Sequence, residues 1–224
     1  IVRRYYPEKI AEVKEKDPEL ARQLQAEQLG YFLDHFPEAG LLMYAEYRAQ
    51  IEKTHDYDFE ELLWGEVSEH LEVLQDHAYQ LCKERVEWLR KHSLFQKAGD
   101  LARRMVKEFP DRPVEARETL GFMLIRQGKM AEADQVLKES RALAQDNDFQ
   151  TIAMLENTLG QLMYLSGRWK EALTHYARGL RAATLAQDRA YMASVYLNRG
   201  FLYSMQGHYY NCLLYTSPSP RDRT

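Results

Sequence analysis

The sequence predicts an all-α fold: helical hairpins stacked as an α-α superhelix, preceded by a helical N-terminal region. Three observations carry this. A block with Gly, six residues and Gly recurs three times, at spacings of 39 and 40 residues. Elsewhere apolar residues recur every three or four positions, the period of a helix with one buried face. No alternating strand pattern of useful length is present; only "IVRRYY" at the start admits a strand reading.

Residues 1–80 read as the helical N-terminal region. "DPELARQLQAEQLGYFLDHF" is a helix that Asp17 can cap, with Pro18 in its first turn and Glu19 near its positive end. Leu20, Leu24, Leu29 and Phe32 recur on about one face. "PEAGLLMYAEYRAQIEK" opens another helix. "DYDFEELLWGEVSEHLEVLQDHAYQL" gives one or two more, with Leu62, Leu63, Val67, Leu71 and Leu74 as the buried stripe. His55, Asp56 and Asp58 form a polar loop better read as a helix cap than as a catalytic set.

Residues 81–211 read as repeats: a degenerate unit at 81–112, two full ones at 113–151 and 152–191, and a truncated one at 192–211. The three aligned blocks are "TLGFMLIRQGKMAEA", "TLGQLMYLSGRWKEA" and "NRGFLYSMQGHYYNC". Gly121, Gly160 and Gly200 fall inside helices, where glycine costs about 1 kcal/mol relative to alanine. Close approach of a second helix explains them, with Ala133 and Ala172 as the small residues opposite. Gly128, Gly167 and Gly207 stand between helices and supply a positive φ. Met130, Trp169 and Tyr209 then open the next helix. A hairpin of this kind buries its apolar faces only when stacked on others. In the degenerate unit Phe95, Ala98, Leu101 and Pro110 keep the pattern, while Val86 and Ser93 replace the two glycines.

These residues resemble the tetratricopeptide repeat. Leu159, Gly160, Gly167, Trp169, Ala172 and Tyr176 follow its pattern, as do Leu120, Gly121, Gly128, Met130, Ala133 and Leu137. The third copy keeps Tyr196, Gly200, Tyr203, Gly207 and Tyr209 but has Arg199 where the family prefers Leu. "LAQDND" and "LAQDRA" lengthen the usual 34-residue period. A second, slighter resemblance joins "VRRYY" and "DPELARQL" to the C-terminal region of bacterial STAND-type signal-transduction ATPases. It implies that 1–80 holds the end of a winged-helix or linker segment.

Composition excludes several functions. The net charge of -4, with acids and bases interleaved, argues against nucleic acid as a partner of this chain. No apolar run approaches a membrane span, and no secretory signal is visible. Cys82 and Cys212 make no disulfide framework, so a reducing cytoplasm is the default. Cys82 reads as a buried apolar residue. "GFMLIRQGKM" imitates a phosphate loop, but six residues separate its glycines and Met130 follows Lys129, where the loop needs four and Ser or Thr. His70 and His77 stand two helical turns apart, too far for a helical metal pair. No catalytic residue, metal set or cofactor is expected, and the chain is not read as an enzyme.

The resemblance implies a role in protein–protein interaction, with the first helix of each unit lining a concave groove. The groove residues in that register are Glu118, Phe122 and Ile125, then Asn157, Gln161 and Tyr164, then Leu197 and Phe201. Glu115, Met154, Ser194 and Ser204 extend it. Chaperone-binding members grip a peptide's terminal carboxylate with Lys, Arg and Asn. The matching positions here are Glu118, Phe122, Thr158, Ser194 and Asn198; only Asn198 fits, and Glu118 would repel a carboxylate. A mixed apolar and amide groove suits an extended peptide or a helix. The expected function is a scaffold or sensor module of a larger bacterial regulatory protein. The alternative is the sensor arm of an NTP-hydrolysing, STAND-type or transcriptional regulator. The chain begins with Ile1 rather than Met, so a piece of something longer is expected. Residues 212–222, within a tail of 212–224, resemble a translated transposase-type sequencing adapter. The third hairpin is therefore expected to stop after about Asn211, with Cys212 carrying no redox meaning.

Overall fold

The computed structural model describes residues 2–205. The expected truncation near Asn211 and the tail from Cys212 lie outside the described residues. Within them the protein is an all-α helical repeat of twelve α-helices and one short 3₁₀ turn, with no strand. The one stretch that admitted a strand, "IVRRYY", is instead helical: α1 runs Val2–Val13. The physical reason lies downstream. Tyr6, Ile10 and Val13 are spaced as one helical face and all three are half-buried. A lone strand would have left its backbone groups without a ladder partner.

The chain divides into two compact units, one up to Leu81 and one from Cys82. The first holds α1, α2 (Pro18–His35), α3 (Pro37–Thr54), α4 (Tyr57–Glu69) and the short α5 (Leu71–Leu74). Asp17 does cap α2, its Oδ1 accepting from Leu20 N at 3.0 Å, and Asp56 caps α4 through Phe59 N at 3.2 Å. Leu24, Leu29, Leu33, Tyr44, Ile51, Phe59, Leu63 and Val67 form the core. Two expected core residues are outside it. Leu20 and Leu62 are exposed, because Ala21 and Leu63, one position on, already occupy the buried side of their helices. Glu60 is buried among these residues, with the Tyr44 hydroxyl at 3.5 Å and Arg48 Nε at 3.9 Å.

The division falls within α6 (Ala78–Lys91). The second unit continues with α7 (Phe95–Glu108), α8 (Pro113–Arg126), α9 (Met130–Leu143), α10 (Phe149–Leu165), α11 (Trp169–Leu185) and α12 (Arg189–Met205). Helices α8 and α9 form one hairpin and α10 and α11 the next, with α12 packed on α11 and α10. One turn recurs. Gly128 and Gly167 have φ of 76° and 73°, and Lys129 N and Arg168 N each reach back to a carbonyl five residues earlier, Leu124 and Met163, at 2.9 Å. This is the glycine-terminated helix end that satisfies two otherwise orphaned carbonyls. Ser93 (φ 60°) and Gln187 (φ 56°) hold the same conformation, with Leu94 N on Leu89 O and Asp188 N on Ala183 O. Asp148 and Asp188 then cap α10 and α12 through Thr151 N and Tyr191 N.

The interior glycines do mark close approach, but not to the residues expected. A Cβ at Gly121 would collide with the Leu137 side chain, and one at Gly160 with the ring of Tyr176. Ala133 and Ala172 are fully buried, one turn earlier on the second helix. The glycine makes room for a large side chain on the partner helix rather than for its backbone. The same packing accounts for the phosphate-loop imitation at 121–130.

Candidate functional site

The first helices of the units, α8, α10 and α12, pack in sequence, α8 against α10 and α10 against α12. Polar side chains join them in a repeated register. Three residues before its interior glycine, α8 carries Glu118 and α10 carries Asn157. Two residues before the next glycine, α10 carries Thr158 and α12 carries Asn198. Thr158 Oγ1 donates to Glu118 Oε1 at 2.5 Å, and Asn198 Nδ2 donates to Asn157 Oδ1 at 2.8 Å. Asn157 Nδ2 also donates to Ser194 Oγ at 3.3 Å. The same two positions thus meet across both unit boundaries, forming a ladder along this face.

Burial sets the chemistry of the ladder. Glu118 is half-buried, and burial of its carboxyl pushes it up to about 7, although the Thr158 hydroxyl and the Lys83 charge both act to lower it. Burial thus favours its neutral form. Its repulsion of a carboxylate ligand is correspondingly weaker than its formal charge implies.

The remaining groove residues sort by exposure. Phe122, Gln161 and Tyr164 are half-buried. Ile125 is 3% exposed and Asn157 6%, so Ile125 is packing and Asn157 is committed to its neighbours. Leu197 and Phe201 are open to solvent at 57% and 65%, and Met205 extends their row at one-turn spacing with 66%. Leu197 stands three residues before Gly200, the register position that Glu118 and Asn157 hold before their own glycines. The structure brings Glu118 to Thr158 and Asn157 to Ser194 and Asn198. The unit-to-unit register that does so was carried in the sequence by the 39- and 40-residue spacings.

The other side of α10 was missed by sequence reasoning. Glu156, Leu159 and Met163 floor a cleft of about 520 Å³ whose walls come from α9 and from Arg168 and α11. Glu156 is buried there, its Oε2 2.8 Å from His175 Nδ1 and its Oε1 3.5 Å from Arg141 Nε. The only signal available in the sequence was the run of charges at helical spacing on α9 and α11, which reads equally as a solvated face.

The candidate sites of the first unit take ordinary structural roles. Asp56 is a cap and also pairs with Arg22 at 2.8 Å. His70 Nε2 lies 3.2 Å from Asp34 Oδ1, and its Nδ1 lies 2.6 Å from Glu66 O. In the second unit Cys82 is fully buried, and burial pushes its thiol up to about 12, which makes it inert as a nucleophile. No group of three or more His, Cys, Asp or Glu among the described residues is placed to hold a metal ion. No described helix is long and apolar enough to cross a membrane.

Comparisons with known proteins agree with this geometry. A family model described as tetratricopeptide repeat matches residues 113–184, which covers both complete hairpins. Among solved structures, the crystal structure of BtubC (BKLC) from P. vanneervenii is similar, with a TM-score of 0.63 at 16% identity. The match covers 97% of this chain and 91% of that one, and at this identity it is a likeness of fold. No curated protein matches the sequence.

Proposed function

This chain carries tetratricopeptide repeats over residues 113–184, and on that premise we propose that it is an interaction module which holds a peptide or helix of a partner protein along the α8–α10–α12 face. The observation that carries this is the row Leu197, Phe201 and Met205, exposed on the helix that also carries the half-buried polar residues Ser194 and Asn198. Apolar anchors at one-turn spacing with polar residues on the same helix suit a segment that buries one apolar face. Docking there favours whichever arrangement of the parent protein leaves the face free to bind, so its mechanism is a shift of equilibrium. A photo-crosslinking residue placed at Phe122 or Phe201 tests the site. Both should yield the same partner adduct, and one at Leu143, on a second helix, should not. Alanine at Phe122 and Phe201 should weaken that capture while helicity is unchanged. Adducts from Leu143 alone would move the site off this face.

A regulator context is a second reading, supported by the resemblance of "VRRYY" and "DPELARQL" to signal-transduction ATPases. The complete open reading frame tests it. A phosphate loop encoded upstream of Ile1 supports a sensor arm on an NTP-hydrolysing regulator, and a frame without one sinks it.

A further inference from the structure

We propose that the cleft between α9 and α11 is a second binding site, and that it takes an extended acidic peptide segment carrying an apolar residue. The site is distinct from the α8–α10–α12 face. At 3.6 residues per turn, Glu156, Leu159 and Met163 lie on α10 well over a quarter-turn away from Asn157, Gln161 and Tyr164.

Charge is the first reason. The lining has four cationic side chains, Lys138, Arg141, Arg168 and Arg178, against three carboxylates, Asp134, Glu156 and Glu171. Internal pairing uses these unevenly. Arg168 is held by both oxygens of Glu171, and Lys138 by Asp134 at 2.6 Å. Glu156 is enclosed between His175 and Arg141, so its charge is spent inside the protein. Arg178 is exposed and has no ion pair among the described residues. The outer edge of Arg141 reaches only Asp146, at 3.8 Å and almost fully exposed. The charge left over for a ligand is therefore one positive guanidinium, that of Arg178, a group suited to planar carboxylates.

Shape favours a peptide over a single small anion. The lining runs over residues 134–142 of one wall and 168–178 of the other, about 12–15 Å at 1.5 Å per residue. That is the reach of roughly four extended residues at about 3.3 Å each. A single phosphate would occupy one point of the trough and leave the apolar floor of Leu159 and Met163 uncovered. An extended peptide can span the trough with a carboxylate on Arg178; a single phosphate cannot.

The test is fluorescence anisotropy on the intact chain with a labelled Glu-Leu-Glu-Glu-Leu-Asp peptide, in low salt. Saturable binding is expected, with no binding of the peptide in which Lys replaces each acid. Arg178→Glu should weaken it at least tenfold, Arg178→Lys less than threefold, and Phe201→Ala not at all. Arg178 is exposed, so the melting temperature should be unchanged in both Arg178 variants, which a circular dichroism melt checks. Absence of saturable binding, equal affinity in Arg178→Glu, or loss in Phe201→Ala would each overturn the proposal. Complete competition by millimolar inorganic phosphate would also overturn it, since the site would then be one for a small anion.

Discussion

At the scale of single residues, two glycines of one hairpin are expected to behave oppositely. Both stand inside helices, so alanine brings the same gain in helix propensity, about 1 kcal/mol. A Cβ at Gly179 meets Glu156 Cβ at 3.4 Å and Ala153 O at 3.5 Å, ordinary contact. Gly179→Ala should therefore stabilise the protein by roughly 0.5–1 kcal/mol in urea denaturation. At Gly160 the added methyl collides with Tyr176, which is 1% exposed and cannot swing away. Gly160→Ala should cost about 1–3 kcal/mol net, as an overpacked core does. Ser93 and Gln187 hold the left-handed conformation that Gly128 and Gly167 take freely. Glycine at either should raise stability by about 1 kcal/mol, the strain that a side chain bears there. Glu118 makes a pH prediction. Its carboxyl is raised from 4.5 to about 7, so over that window the unfolded chain has released a proton that the folded chain keeps. Stability from this group then falls as pH rises from about 4.5 to 7 and is level above. Glu118→Gln keeps an acceptor for Thr158 and should raise the melting temperature at pH 8, an effect of order 1–3 kcal/mol that vanishes at pH 4.

At the scale of elements, the ladder fixes how one first helix lies on the next. Asn157 accepts from Asn198 and donates to Ser194, so Asn157→Ala strands two polar groups at a half-buried interface. A cost of about 1–3 kcal/mol is expected, with faster amide exchange in α12 than in α8. Equal exchange in the two helices would show that apolar packing alone sets the register. Much of this level was legible in the sequence. The glycine spacing gave hairpin length and turn position, because a positive φ and a close approach each demand a residue type. Ser93 was legible as a substitute for glycine but not as one that keeps its φ, since backbone conformation there follows from the helix end and not from serine. What packed opposite Gly121 and Gly160 was not legible either. Spacing shows that room is needed, while Leu137 and Tyr176 fill it from one turn beyond the repeated alanines, Ala133 and Ala172. The cleft over Glu156 was hidden for a related reason: charges at helical spacing look alike whether they face water or one another.

At the scale of the whole molecule, the repeats of the second unit contact their neighbours in order, α7 with α8, then α8–α9 with α10, then α10–α11 with α12. Such a stack is close to one-dimensional, so a defect is felt through shared interfaces and not everywhere at once. Gly160→Ala offers a local defect of known position. Its methyl wedges α10 from α11; both helices pack on α12, and α10 alone carries the α8–α9 hairpin on its other side. Hydrogen exchange should therefore quicken most in α10 and α11, next in α12 and α9, and least in α7. Helices α2, α3 and α4 belong to the other compact unit, with a core of their own around Leu29, Leu33, Leu63 and Val67. Their protection should not change. A uniform loss of protection along the chain would mean that the two units unfold as one cooperative body, and that a partner held by the repeats could transmit its binding energy to the first eighty residues.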